Sequence, residues 1–99
     1  VGENIAARGY SNAGPAIDTI PDLSTNSWAD EEADFVYGGT PTGIVGHYTQ
    51  IIWDDSVAVG CGITECGSTG SPFSGLDWTY SACNYAPAGN FVGQDPYDI

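Results

Sequence analysis

The stretch VAVGCGI, Val57–Ile63, decides how this chain folds. Large residues at 57, 59, 61 and 63 alternate with Ala58, Gly60 and Gly62, the period-2 pattern of a strand with one apolar face and one nearly bare face. A bare face lets another backbone or a helix approach closely. Downstream, Leu76–Tyr85 is a second strand candidate, reached through a Gly/Ser/Pro loop. The two form an antiparallel hairpin centred near Pro72, which sets Cys61 opposite Cys83 in a position suited to a cross-strand disulfide. Cys61 to Cys66 is the poorer pairing, because five extended residues span about 16–17 Å. A disulfide tolerates only roughly 4.4–6.8 Å between Cα atoms. Cys66 is therefore left without a partner within this sequence.

Upstream of the hairpin lies GHYTQIIWDDS, Gly46–Ser56, with the only histidine, His47. HYTQIIW is too short for periodicity to choose between helix and strand. Before it, GGTPTGIVG (38–46) is a flexible loop, and 9–22 (GYSNAGPAIDTIPD) is a Gly/Pro/Asn loop. Pro21-Asp22 offers an N-cap for a helix running to about Phe35. On that helix Trp28, Glu31, Glu32 and Phe35 sit at i, i+3, i+4 and i+7, so at least one glutamate shares the aromatic face. A carboxylate there needs a partner or a metal, and spacing alone does not choose between Glu31 and Glu32.

Composition limits the partners. Ninety-nine residues with 41% apolar and 12% aromatic content suit one domain with a core. Arg8 alone faces thirteen acids, a formal charge of −12 that argues against nucleic acid and anionic membranes. No apolar run reaches the roughly 18 residues of a membrane span. Three cysteines, no methionine and a single basic residue point to an oxidising, extracellular setting. The start at Val1 without a leader suggests a processed chain or a fragment. The sequence lacks a G-x-S-x-G elbow, H-E-x-x-H, a P-loop, an EF-hand loop and a C-x-x-C pair. What remains is His47, a helix glutamate and the early Glu3 of VGENIA. An imidazole among carboxylates suits either a divalent metal or acid–base chemistry, although a single histidine is more often structural.

Taken together, GENI (Gly2–Ile5), W-x-x-E (Trp28, Glu31), GHYTQIIWDDS, VGCG (Val59–Gly62) and CNYAPAGN (Cys83–Asn90) resemble the CAP superfamily. That superfamily comprises cysteine-rich secretory proteins, antigen 5 and pathogenesis-related class 1 proteins, and GQDPY near the end looks like its plant and fungal members. The resemblance implies an α+β fold, an α-β-α sandwich around a small antiparallel sheet, with residues 1–99 as a single domain lacking the N-terminal helical segment. It implies a cleft tetrad of two His and two Glu, of which Glu3, Glu31 and His47 are three, and so selects Glu31 over Glu32. The second histidine, and the usual partner of Cys66, belong to the upstream segment. Without that segment, an exposed sheet or helix face is expected to bind something or aggregate. Ser81 departs from the family's apolar preference.

The resemblance further implies zinc or another divalent cation at the tetrad, or a metal-free state. It implies a secreted protein binding small lipids such as sterols or fatty acids, in defence, virulence or lipid export. Phe35-Val36-Tyr37-Gly38-Gly39 resembles a sterol-binding loop, with Phe35 and Tyr37 as lipid contacts; the plainer reading is that both rings close the helix. Two other functions stand beside this one. The first is a metal-dependent hydrolase or protease using His47 and Glu31, with Glu3 orienting the histidine. The second is a non-catalytic interaction protein recognised through its acidic surface or the NYAPAGN motif, although Pro87, Gly89 and Asn90 have the chemistry of a turn.

Overall fold

A computed structural model describes residues 1–10, 14 and 19–98. Three antiparallel strands form one sheet: β1 (Gly2–Tyr10), β2 (Ala58–Cys66) and β3 (Asp77–Ala86), in the order β1-β3-β2. Two helices, α1 (Ile20–Ala29) and α2 (Gly46–Ile52), and a 3-10 turn at Asp30–Asp34 complete the described elements. This is the α+β class expected from the sequence.

The hairpin follows the register read from VAVGCGI. Cys61 pairs with Cys83 and Ile63 with Ser81, so the reversal is centred on residue 72. Cys61 and Cys83 are disulfide-bonded with their Cα atoms 4.1 Å apart. Cys66, at the far end of β2, is a free thiol opposite Trp78.

Strand β1 is the element that the sequence concealed. Gly9 and Tyr10, read as the start of a loop, close a nine-residue strand paired with β3 from Gly2↔Tyr85 to Tyr10↔Asp77. GENIAARGY is rich in Gly, Ala and Asn, which rank low in strand propensity. Cross-strand pairing on β3 overrides that local preference. Most of the remainder of the expected loop lies outside the described residues.

All the helical packing is on one face of the sheet. Strand alternation puts Gly2, Asn4 and Ala6 of β1 on the same side as Ser81, Cys83 and Tyr85 of β3. Trp28 of α1 is 3% exposed and packs against Cys83, Tyr85 and Ala6, the centre of the core. Its indole Nε1 donates to the Ile5 carbonyl at 3.2 Å. Ser81, an unusual residue for its place, is matched from α1: its hydroxyl shares a 2.6 Å hydrogen bond with that of Ser24. Burial pushes the Tyr85 phenol up, and a hydrogen bond from Asn4 draws it partly back. On the other face, nothing lies within 4 Å of where a Cβ at Gly60 or Gly62 would stand. The bare face therefore stays open, and among the described residues the sandwich has only one helical layer.

Helix α1 differs from expectation at both ends. It begins at Ile20 with Thr19 in the N-cap position, so Pro21 and Asp22 belong to the first turn and are not the cap. It stops at Ala29, where the chain tightens into the 3-10 turn and becomes extended at Phe35. Asp30, Glu31, Glu32 and Asp34 crowd negative charge at a helix C-terminus, where the macrodipole opposes it. The tighter turn ends the α-helix before a full i, i+7 face can form.

Candidate functional site

HYTQII is helical and Trp53 after it is extended, and α2 is anchored by side chains from elsewhere. No side chain at its own Val45 N-cap position bonds the first turn. Glu31 caps it instead: Oε1 accepts the backbone N–H groups of His47 at 2.9 Å and Tyr48 at 3.0 Å. Its other oxygen, Oε2, lies 2.7 Å from His47 Nδ1. One carboxylate thus satisfies two orphan helix donors and orients the imidazole. The His47 side chain is 37% exposed and Glu31 17%, so solvent reaches the imidazole of the pair. The imidazole stacks on Trp28 with ring centroids 6.1 Å apart and planes inclined by 13°.

Glu3 is not brought to this pair. Gly2 and Asn4 both face α2: a Cβ at Gly2 would collide with Gln50, and Asn4 Nδ2 donates to the His47 carbonyl at 3.0 Å. Alternation turns the intervening Glu3 to the opposite face of the sheet, where it is exposed. The residue of GENI that touches the histidine segment is Asn4, 1% exposed and bonded to both His47 O and the Tyr85 hydroxyl. A polar residue in a strand otherwise poor in branched apolar side chains was the available signal.

The donor set limits what a metal would find here. Both Glu31 oxygens are engaged, and Nδ1 of His47 faces one of them, which leaves imidazole Nε2 as the free donor. Among the described residues no group of three His, Cys, Asp or Glu is placed to hold a metal ion. Zinc sites use three or four protein ligands, so these residues do not form one by themselves.

The two aromatic candidates separate. Phe35 packs on Tyr48 with centroids 5.3 Å apart and lines a hollow of about 830 Å³. Tyr37 turns to the C-terminal segment, where its hydroxyl donates to the Tyr97 carbonyl at 2.7 Å and its ring meets that of Tyr97. The hollow lies between the loop after the 3-10 turn, α2 and residues 90–96, with Val36, Trp53, Phe91 and Val92 in its wall. His47 is not part of that wall, although its neighbours Gly46 and Thr49 are.

Residues 90–96 build the far wall, which begins at Asn90, the last residue of NYAPAGN, a role that sequence reasoning missed. The motif ends strand β3 at Ala86 and bends at Pro87, with a cis Ala86–Pro87 bond and Asn90 at φ 60°. Asn90 does not cap its own turn, however. Its Nδ2 donates to the Gly46 carbonyl at 2.8 Å and its Oδ1 accepts the Thr49 hydroxyl at 2.6 Å, binding the segment to α2. Gln50, 2% exposed, accepts from the Gly89 N–H through Oε1 and donates to Ser56 through Nε2. Only glycine suits position 89, because a Cβ there would fall 2.7 Å from the Trp53 ring.

Comparison with known proteins agrees with the motifs. The profile of the cysteine-rich secretory protein family, CAP, matches residues 1–85. Pathogenesis-related protein 1 of Arabidopsis thaliana is 37% identical over 97 residues, covering 97% of this chain and 51% of that protein. Venom allergen 5 of Polistes dominula is 40% identical over 101 positions, covering 98% of this chain and 40% of the allergen. Cysteine-rich secretory protein 3 of Equus caballus is 46% identical over 77 residues, covering 73% and 29% respectively. The chain belongs to the CAP family, and it spans about half, or less, of the length of these relatives.

The Glu31 clamp has a direct spectroscopic consequence. Glu31→Gln keeps the shape and one acceptor but removes the charge from both backbone bonds, a loss of about 1 kcal/mol. Hydrogen exchange followed by NMR should show the His47 and Tyr48 amides exchanging about fivefold faster, with the amides of β3 unchanged. Equal protection in the variant would mean that α2 is held by something else.

Proposed function

We propose that this CAP domain is a secreted binding module for a small apolar ligand of the size of a sterol or a fatty acyl chain, bound in the hollow beside α2. The observation that supports this is the hollow itself. Its volume, about 830 Å³, lies within the usual range for small-molecule sites, and its wall combines Phe35, Trp53, Phe91 and Val92 with a few polar groups. Val36, Phe91 and Val92 are 45%, 54% and 103% exposed, so the lip presents apolar surface to solvent that a ligand would cover. The disulfide fits an oxidising compartment, and among the described residues no helix is long and apolar enough to cross a membrane. The free Cys66 suits a bridge to a cysteine in an upstream segment of a longer protein, which reducing and non-reducing intact-mass measurements would reveal.

A second reading rests on the Glu31–His47 geometry. A carboxylate bonded to one imidazole nitrogen leaves the other as a general base, and Glu31 takes the orienting role that the sequence assigned to Glu3. A divalent cation at Nε2 would need donors beyond those described, so this reading stands on acid–base chemistry. It requires a turnover that His47→Ala abolishes; purified protein without hydrolytic activity on ester or peptide substrates would dismiss it.

The binding reading separates the two aromatic residues. Phe35→Ala removes a half-buried ring that a ligand would cover, worth about 1.5 kcal/mol of contact, and should weaken binding of a fluorescent sterol about tenfold. Tyr37→Ala, which alters the C-terminal tether and not the wall, should cost less than threefold, or roughly 0.6 kcal/mol. Unchanged affinity in Phe35→Ala would remove the hollow as the site.

A further inference from the structure

The walls of the hollow combine apolar rings with polar groups, and they are not electrically neutral. Among the described residues lining it, Asp95 is the only charged one, and it is exposed at the rim beside Phe91, Val92 and Gln94. No Lys, Arg or His is among the described residues lining the hollow, and the only Lys or Arg in the sequence is Arg8 in β1. Aromatic faces that attract cations lie in the same wall: Phe35, Phe91 and Trp53, the last two with ring centroids 6.3 Å apart. Negative potential also reaches the side formed by Phe35. That ring packs on Tyr48, whose phenol is pushed up by burial first and by the charge of Glu32 second. A formal charge of −12 provides the background.

Resting on the binding reading above, we propose that the hollow selects a cationic amphiphile, an apolar body with an amine or quaternary ammonium head, and disfavours lipids that bear a carboxylate or sulfate. The tail occupies the apolar wall between Phe35 and Val92, and the head stays at the rim against Asp95 and the Phe91 face. This arrangement desolvates no bare charge, because the rim is open to water while the floor, at Trp53, is buried at 5% exposure. An anionic head at the same place meets Asp95 with no basic residue in the wall to offset it. Uncharged ligands fall between the two, since they use the apolar wall alone.

Three probes with the same chain isolate the head group: decyltrimethylammonium, decyl maltoside and decyl sulfate, each below its micellar concentration and titrated into the full chain by calorimetry at low salt. The cation should bind about fivefold to tenfold tighter than the anion, with the maltoside between them. The gap should narrow in 0.5 M salt, where screening shortens the reach of Asp95 to about 4 Å. Asp95→Asn should bring the three affinities within about twofold. Asp22→Asn, a change of the same charge in the first turn of α1, should leave the gap as it is. Two results overturn the proposal while leaving the lipid reading intact: equal binding of all three probes to the wild type, or an equal narrowing by Asp22→Asn and Asp95→Asn. Failure of every probe, the neutral one included, overturns the proposal and the lipid reading together.

Discussion

The carboxylate of Glu31 joins the turn after α1 to the start of α2 by polar bonds, beside the ring contacts Trp28–His47 and Phe35–Tyr48. One oxygen takes the first free N–H groups of α2 and the other holds the His47 ring. Helix α2 is only seven residues long, well below the length at which a helix is stable alone in water. Its existence depends on such external caps. Asn4 and Asn90 hold the same helix by backbone carbonyls, at His47 and Gly46, and Gln50 fastens it to Gly89. Three polar side chains from three other parts of the sequence thus converge on one short helix, and Gln50 reaches out from it. His47 stands on α2 outside the wall of the hollow, which Gly46 and Thr49 of the same helix help to form.

This arrangement explains why polar residues fill places where a small domain would normally put hydrocarbon. Asn4 and Gln50 are the largest fully buried side chains described. Buried amides are costly unless bonded, and each of these makes two hydrogen bonds that fix the position of α2. The apolar core is correspondingly small, centred on Trp28, Cys83, Tyr85 and Ala6, and is stapled beside Trp28 by the disulfide. Stability and site geometry therefore share the same bonds, so loosening α2 would deform both the Glu31–His47 pair and the hollow.

The hairpin was legible because its information is local. Alternation in Val57–Ile63 and a loop centred near residue 72 fix the register, and the register fixes Cys61–Cys83. Strand β1 was not legible, because its inward residues are Gly2, Asn4 and Ala6, shaped by what packs on them and not by hydrophobic period. Glu3 was expected in the cluster through family resemblance; with β1 unrecognised, nothing in the sequence indicated that neighbours in GENI face opposite sides. Glu31 was separable from Glu32 only through family resemblance, since the 3-10 turn that aims it at α2 arises from crowded acids at a helix end. The hollow was half legible. Phe35 was visible in its loop, whereas the wall at residues 90–96 depends on Asn90 reaching Gly46 and Thr49 across more than forty residues.

Nuclear Overhauser contacts between a bound sterol and labelled aromatic side chains would test the site most directly. A second apolar groove, smaller at about 330 Å³, runs beside α1 between Pro21, Trp28 and Ile63 and supplies the internal comparison. Ligand in the hollow gives contacts from its ring methyls to Phe35, Trp53 and Phe91 and none to Trp28 or Ile63. Contacts confined to the groove beside α1, or a bound sterol that touches none of these rings, would contradict the assignment of the hollow as the binding site.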